Sequence, residues 1–420
     1  LVQGVGGAMI LPASLSIINA TFRGKDRAIA FAVWGSTIGG MAAVGPLLGG
    51  WLTTYFSWRW AFGINIPLGI IIIIGVLVYV LESKETGEPR RVDIVGAFLS
   101  VVLFSTLVFG LIEGRTYGWW LSDNPPDFWT LDVSPIPFAF AVTLLAGVAF
   151  VVWGFRRERL GKSTMLAFGL LRIPSFRNGN IAALIVSLGE FGIILSLPLW
   201  LQNVLNYDAL QTGFVILALA LGSFVASGFA GAFGNRISPV AIVRVGILAE
   251  IVGVLLVAWG ISPTAEWFNV VPGLFIYGFG VGLATAQLTG VVLKDVPLNQ
   301  SGQGSGTQST SRQIGAALGI AILGTVLFTS LGTGLQNRLD QRTEIPESVR
   351  TQIVDAVVVS AGTAIPGLDE RSADAAADAR AAFSDATRYA ALSAAGFLSL
   401  GFLATLRLTG TGRREDALES

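Results

Sequence analysis

The sequence contains no cysteine and no histidine among its 420 residues, and only 13% of them are charged. Without cysteine, disulfide bonds, thiolate metal sites and cysteine nucleophiles are excluded. Without histidine, the chain lacks the commonest metal ligand and the usual general base, so proton chemistry has to use carboxylates. We therefore expect no metal site and no cofactor. The net charge is zero, and no basic tract indicates a nucleic-acid partner.

Apolar residues dominate what is present, at 53% of the chain. About a quarter of the residues of a typical soluble domain are charged, so this composition predicts that the chain lies in a lipid bilayer. The sequence begins at Leu1, inside an apolar stretch and without a signal peptide. We expect a chain that lacks its natural N-terminus.

Eleven segments are long and apolar enough to cross a membrane, which takes about 20 residues of helix. Backbone groups in lipid must be satisfied within the segment, and these runs are too long for barrel strands, so all are predicted to be helices. They cover residues 1–20, 28–53, 60–81, 94–112, 135–155, 179–201, 210–233, 240–261, 268–293, 313–331 and 388–407.

The loops between these segments differ in their basic residues. One set of loops holds nineteen Lys and Arg residues, whereas the alternate short loops hold only Arg59 and Arg115. Basic loops stay in the cytoplasm, so the first set and the C-terminus are predicted to be cytoplasmic. The long loop 332–387 is predicted to lie outside, as a solvated helical cap or, alternatively, as a ligand-binding domain.

The second segment carries helix-breaking residues in "MAAVGPLLGG". Small residues recur there at i+3 and i+4 spacing, which places them on one face of a helix. In lipid, such a face lets helices pack closely. We expect it to face a second stripe on segment 210–233 and Pro46 to bend the helix. The first stripe is Gly35, Gly39, Ala42, Gly45, Pro46 and Gly49, followed by Gly50; the second is Ser223, Ser227 and Gly231.

Three further motifs accompany the stripe: "LVQGVGGAMILPA" at the start, "SWRWAFGINIPLG" at 57–69 and "SGTQSTSRQIGAALGIAILGTVL" at 305–327. Together they resemble the major facilitator superfamily, and within it the fourteen-helix drug:proton antiporters of the EmrB/QacA type. The resemblance implies an all-α polytopic membrane protein of the major facilitator fold, with helices 4–14 of 14 present. The matches are Gln3, Gly4, Gly6 and Gly7 in the helix-four motif, and Gly45, Pro46, Gly49 and Gly50 in the antiporter motif, where Met41 departs from the pattern.

The resemblance also implies a domain organisation. Residues 1–81 would be the remainder of an N-terminal lobe, and 82–177 two linker helices with a cytoplasmic connector. Residues 178–408 would form a C-terminal lobe of six helices, and 409–420 a cytoplasmic tail. The inner-loop motif of that lobe, "GAFGNRISP", has Asn235 in place of the usual acid.

By the same resemblance, the chain is expected to be a proton-coupled efflux transporter of hydrophobic or cationic small molecules in the plasma membrane. Its partners would be the substrate, protons and lipid; a monomer is expected, with a link to antibiotic resistance. An exporter of metabolites, lipids or antibiotics, and a fragment inactive without three more helices, stay open. A membrane enzyme would need a histidine or a metal cluster, and no GxxxxGK[ST] loop is present to bind ATP.

Charged residues inside a membrane are candidates for function. Glu190 and Glu250 each lie near the middle of a segment, where desolvation favours the protonated carboxyl. Both are proton-coupling candidates, with a structural hydrogen bond as the alternative. Glu113 is a third candidate at an outer edge. Asp93 is predicted to cap a helix, and Arg312 to pair or to snorkel.

The substrate cavity is predicted from polar and aromatic residues in otherwise apolar segments. For each aromatic residue, lipid contact or core packing is the alternative. The candidates are Asn65, Phe191, Trp200, Gln202, Asn203, Tyr277, Gln287 and Gln313.

Overall fold

The computed structural model describes residues 2–22, 24–80, 93–122, 126, 129–233, 237–297 and 300–408. Its architecture is a bundle of long helices with short connections. The helices are α1 (Val2–Thr21), α2 (Gly24–Tyr55), α3 (Trp58–Gly63), α4 (Asn65–Tyr79), α5 (Ile94–Tyr117), α6 (Pro135–Arg159), α7 (Pro174–Asn203), α8 (Ala209–Phe233), α9 (Pro239–Gly260), α10 (Trp267–Leu293), α11 (Ser301–Leu339), α12 (Glu347–Val359), α13 (Ile365–Asp369) and α14 (Ala373–Thr405). A short 3₁₀ helix, Phe168–Arg172, precedes α7.

Each predicted segment coincides with a helix, and α3 and α4 together form the third one. Eight of the helices within the described ranges are long and apolar enough to cross a membrane, by length and composition. The protein is therefore an all-α multi-pass membrane protein. The largest boundary differences are in two helices: α11 runs from Ser301 to Leu339 rather than over 313–331, and α14 begins at Ala373 rather than at 388. Both ends of the predicted loop 332–387 therefore belong to these helices.

Glycine lets α9 and α10 pack with their backbones in contact. Gly246, Gly253 and Gly260 recur every seven residues on α9, and a side chain added at any of them would strike the α10 backbone. Gly273 and Gly280 repeat the same spacing on α10 and meet the α9 backbone in return. Small residues are the usual means of close helix approach in lipid.

Helices α7, α11 and α14 form a second closely packed group. Gly315 and Gly319 of α11 lie against the backbone carbonyls of Leu184 and Leu188 on α7. Helix α14 packs a row of buried alanines against these helices and against α12 and α13. The row is Ala375, Ala379, Ala382, Ala386, Ala390 and Ala394. Small side chains again mark the buried faces.

Helix α2 packs along α8 and also touches α10. At one end of this contact, a side chain added to Gly50 would lie 2.5 Å from the carbonyl oxygen of Ala209. The predicted pairing of the two small-residue stripes stays a prediction, because the surroundings of five of their residues are not described. These residues are Gly39, Ala42, Pro46, Ser227 and Gly231. The backbone of Ser223 lies beside Gly282 of α10.

The segment between α11 and α14 is helical and rich in ion pairs. Arg338 of α11 pairs with Asp385 of α14, and Arg342 pairs with Asp374 and Asp378. Arg380 forks onto the carboxylate of Asp369, and this contact lowers the pKa of that carboxyl group. These exposed pairs tie the ends of α11, α13 and α14 together.

Helices α3 and α4 contrast with the rest of the bundle. No residue of either helix is buried, although α4 reads "NIPLGIIIIIGVLVY". Within the described part of the chain, their main contacts are between α2 and α3 and between α3 and α4. Helices α5 and α6 form a separate pair, which touches the main group through α11.

Candidate functional site

The most enclosed carboxylate with charged company is Glu190, near the middle of α7. Its Oε2 lies 3.5 Å from Nη2 of Arg312, and its Oε1 accepts a long hydrogen bond of 3.4 Å from the hydroxyl of Thr285. The Tyr277 hydroxyl donates to the backbone carbonyl of the same residue at 3.3 Å. Glu190 therefore joins α7, α10 and α11 in one polar contact.

Arg312 owes its position to the first third of α11. That part of the helix is rich in Ser, Gly, Thr and Gln, and several of its residues are buried. The amide of Gln308, one turn before Arg312, donates to the hydroxyl of Thr289 at 3.2 Å. We call the row formed by Thr289, Gln308, Arg312, Thr285 and Glu190 the polar column. It runs along the contact between α10 and α11 and ends at the carboxylate.

Glu250 of α9 is fully enclosed, yet neither of its carboxyl oxygens has a hydrogen-bond partner among the residues that the structure describes. Its side chain lies against Gly280, where an added carbon would come within 2.7 Å of its Cγ. The carboxyl is within electrostatic reach of both Glu190 and Arg312. Two acids and one guanidinium thus share the interior.

Helix α10 lies against both acids. Tyr277 and Thr285 contact Glu190, and Gly280 between them leaves room for Glu250. A helical turn of 3.6 residues brings positions 277, 280 and 284–285 to neighbouring turns of one side. The sequence alone predicted the two acids separately; in the structure both lie against α10, Glu190 at Tyr277 and Thr285 and Glu250 at Gly280.

The predicted cavity residues divide into three groups. Tyr277 and Gln287 are buried on α10, and Phe191 beside Glu190 is half-buried. Trp200 and Asn203 are enclosed at the far end of α7, where Trp200 donates to Ser384 and Asn203 to the carbonyl of Ala361. For Trp200 the core alternative applies, because its ring is fully covered. The exposed group is Asn65, Gln202 and Gln313.

The structure also places the glycine motifs and a proline of α7. Helix α7 runs unbroken from Pro174 to Asn203 through Pro198. Gly4, Gly6, Gly7, Gly45 and Gly49 have no described neighbour within 4 Å of an added side chain, so they pack against nothing described here. Gly35 is buried, whereas Met41 is exposed. The side chain of Gln3 lies outside the described residues.

Asp93 is confirmed as a helix cap, since its carboxylate accepts from the backbone N–H of Gly96 at the start of α5. It also accepts from the indole of Trp153 and the backbone of Met165, with Arg157 3.6 Å away. Burial raises the pKa of Asp93, but these hydrogen bonds and the Arg157 charge outweigh it and leave the pKa below its ordinary value. Glu113, at the other end of α5, is half-buried.

Some contributors to the polar column were missed from sequence. Thr285, Thr289 and Gln308 lie in apolar or small-residue surroundings that a hydropathy count averages away. Spacing could have indicated them, because Thr285 and Thr289, like Gln308 and Arg312, are four residues apart and therefore share a helix face. The heptad of glycines on α9 was an equally readable signal.

Comparison with known proteins agrees with this architecture. Residues 1–320 match the family model described as Major Facilitator Superfamily. The chain is 29% identical to "Multidrug resistance protein Stp" of Mycobacterium tuberculosis, over 96% of this chain and 73% of that protein. It is 30% identical to "Probable actinorhodin transporter" of Streptomyces coelicolor, over 79% and 56% of the two chains. "Multidrug resistance protein 3" of Bacillus subtilis is 28% identical, over 85% and 71%.

Proposed function

Because the chain belongs to the major facilitator superfamily, we propose that it exports hydrophobic or cationic small molecules, with drugs among them, in exchange for protons. The relatives named multidrug resistance proteins support drug efflux. Transport proceeds by alternating access between two lobes, with no enzymatic step and with a monomer as the working unit. The coupling ion is a proton carried by buried carboxylates.

One observation carries the proton-coupling part: two enclosed glutamates and an arginine whose side chain is 22% exposed lie on α7, α9 and α11, around α10. Ionisable groups in a membrane interior are costly, so they mark ion or substrate pathways. Glu190 is held by Arg312 and Thr285, and Glu250 lies against Gly280 of α10. Substrate would enter beside this cluster, near Phe191, Tyr277 and Gln287; Glu113 is a further, outer candidate for attracting cations.

The lobe boundaries and the orientation form part of this proposal. Residues 1–81 contribute to one lobe and 178–408 to the other, with α5 and α6 between them and 409–420 as a tail. The contact between α2 and α8 is then the lobe interface. The excess of Lys and Arg in alternate loops supports a cytoplasmic C-terminus in the plasma membrane.

Efflux from cells tests the function. Cells that express the protein are loaded with a fluorescent lipophilic cation, and export is followed with and without an uncoupler. We expect export that stops with the uncoupler and that is reduced at least tenfold in Glu190→Gln and Glu250→Gln. The exposed Glu158→Gln variant serves as the matched control and keeps wild-type export. Export that ignores the uncoupler would contradict proton exchange.

A second candidate is the export of an antibiotic or other metabolite by the same mechanism. It is favoured by the similarity to the probable actinorhodin transporter and to a protein named for tetracenomycin C resistance and export, which is 25% identical. The same cells, challenged with actinorhodin, with tetracenomycin C and with a panel of lipophilic cations, would separate the two candidates by which compounds they resist. An inactive chain would protect against neither.

A further inference from the structure

We propose that Glu250 holds the exchangeable proton of this protein, and that Arg312 sets this assignment by keeping Glu190 ionised. The inference deepens the proposed proton exchange, and it rests on that function for its meaning in transport. The protonation states themselves are properties of the resting protein. Arg312 is a positioning residue in this scheme, because it acts on the proton site through the charge that it neutralises.

The two carboxyl groups differ in what surrounds them. Glu190 has a guanidinium at 3.5 Å and a hydroxyl donor at 3.4 Å, which are the contacts of an ionised group. Glu250 has neither, since both its oxygens lack a donor among the described residues and its side chain is fully covered. An isolated buried carboxylate is far more costly to maintain than a neutral carboxyl.

Helices α10 and α14 pack on α9, where Glu250 lies. Helix α10 contributes Tyr277; across it lie Glu190 of α7 and Arg312 of α11. Helix α14 contributes Arg388, whose guanidinium donates to the carbonyls of Ala258 and Ile261. Position 258 lies about 12 Å along α9 from Glu250, at 1.5 Å per residue. Arg244 lies six residues before Glu250 on α9, about 9 Å along the helix, and donates to the carbonyls of Thr405 and Leu408. Among the described cations, Arg312 is the one that acts on Glu250.

Charge balance leads to the same division. The cluster of Glu190, Glu250 and Arg312 is neutral when it holds one proton and carries one negative charge when it holds none. Arg312 can neutralise a single carboxylate, and its contact distance assigns it to Glu190. The remaining proton is then on Glu250, and its release would leave one uncompensated negative charge at the centre of the bundle.

Infrared difference spectroscopy on the purified protein in lipid nanodiscs tests this inference, because a protonated carboxyl has its own carbonyl stretch. An alkaline pH jump on the wild-type protein is expected to remove one such band from a buried group. Glu250→Gln should lack that band, whereas Arg312→Gln should show about twice its intensity, since Glu190 then loses its cation. Arg312→Lys should restore the single band, and Glu158→Gln should match wild type.

A band that persists in Glu250→Gln would overturn the inference, as would an Arg312→Gln spectrum with no second carboxyl. The Glu250→Gln substitution changes the side-chain shape little and removes no hydrogen bond. Elution of a variant as a single species in gel filtration confirms that it is folded. The double variant Glu250→Gln/Arg312→Gln should regain one band, from Glu190. These spectra do not depend on transport. If the expected bands were observed but export did not respond to the uncoupler, the proposed function would be refuted and the assignment of the proton to Glu250 would be retained.

Discussion

Helices α4 and α10 reverse the rule that the most apolar segment is the most buried. Helix α4 is built from isoleucine, leucine and valine and has no buried residue, whereas α10 contains glycine, threonine and asparagine and is mostly enclosed. In lipid, apolar bulk gains little from burial, while small residues gain close backbone contact. Composition therefore predicts which helix is inside, but in the opposite sense from a soluble protein.

Adding one carbon atom to each helix is the most direct test of this difference between α4 and α10. Gly278→Ala on α10 would drive a methyl group into the backbone carbonyl of Leu219 on α8. We expect a loss that exceeds the ~1–3 kcal/mol typical of overpacking, measured as a fall in Tm in detergent. Gly75→Ala on α4 is the matched control, because no described atom lies within 4 Å of the added carbon. A lower Tm for Gly75→Ala than for Gly278→Ala would refute the comparison.

Removing side-chain volume should give the next largest effect. Leu331 of α11 is completely enclosed, and Leu331→Ala is expected to destabilise the protein by about 2–5 kcal/mol through the cavity it leaves. Ile72 of α4 is 57% exposed, and Ile72→Ala should change stability by less than about 0.5 kcal/mol. Thermal unfolding followed by tryptophan fluorescence measures both. Equal losses would show that α4 is as tightly packed as α11.

Two tryptophans extend the comparison between enclosed and exposed positions, because the enclosed one also donates a hydrogen bond. Trp200 of α7 is enclosed and donates from its indole nitrogen to Ser384 at 3.1 Å, whereas Trp259 of α9 is 83% exposed. Trp200→Phe should cost at least the roughly 1 kcal/mol of one hydrogen bond, with a further loss for the smaller ring. Trp259→Phe should leave the Tm of the protein unchanged. A stable Trp200→Phe protein would indicate that the contact with Ser384 contributes nothing.

The smallest expected effect concerns α5 and α6, which are largely exposed and yet share a buried polar anchor at Asp93. Because the pKa of Asp93 is lowered in the folded state, its charged contacts stabilise the protein above the unfolded pKa of about 3.9. This contribution is lost as the pH falls through the lower, folded pKa. The Tm difference between wild type and Asp93→Asn should be full at pH 6 and shrink below pH 4. A difference independent of pH would contradict the charged anchor.

Much of this architecture was readable from the sequence, and the errors have physical causes. Hydropathy located every long apolar helix, because these runs are long and the turns between them are marked by Lys, Arg, Gly and Pro; it did not locate α12 and α13, which lie in the predicted loop 332–387. It placed the starts of α11 and α14 too late, because their first turns are polar or alanine-rich and are buried by neighbouring helices rather than by lipid. Local composition cannot report that kind of burial.

The candidate site shows the same limit. The depth of Glu190 and Glu250 in their segments predicted that both are interior, and the structure places them there. The difference between their surroundings could not be predicted, because Arg312 reaches Glu190 over 122 positions of sequence, whereas Glu250 packs against Gly280. Which carboxylate receives the arginine depends on helix packing, and a single sequence contains no direct record of packing.

The length of α11 has a mechanical consequence. Its 39 residues span about 58 Å, nearly twice the ~30 Å hydrocarbon core, and α14 with 33 residues spans about 50 Å. The two helices are linked by an ion pair, in which Nη2 of Arg338 on α11 lies 2.8 Å from Oδ2 of Asp385 on α14. A tilt of α11 by ~10° about Arg312 would move its end at Leu339, about 40 Å further along the helix, through roughly 7 Å. The two linked helices thus amplify motion. A small rotation of α11 near Glu190 would move a fluorophore attached near α12 by several times the displacement at Glu190.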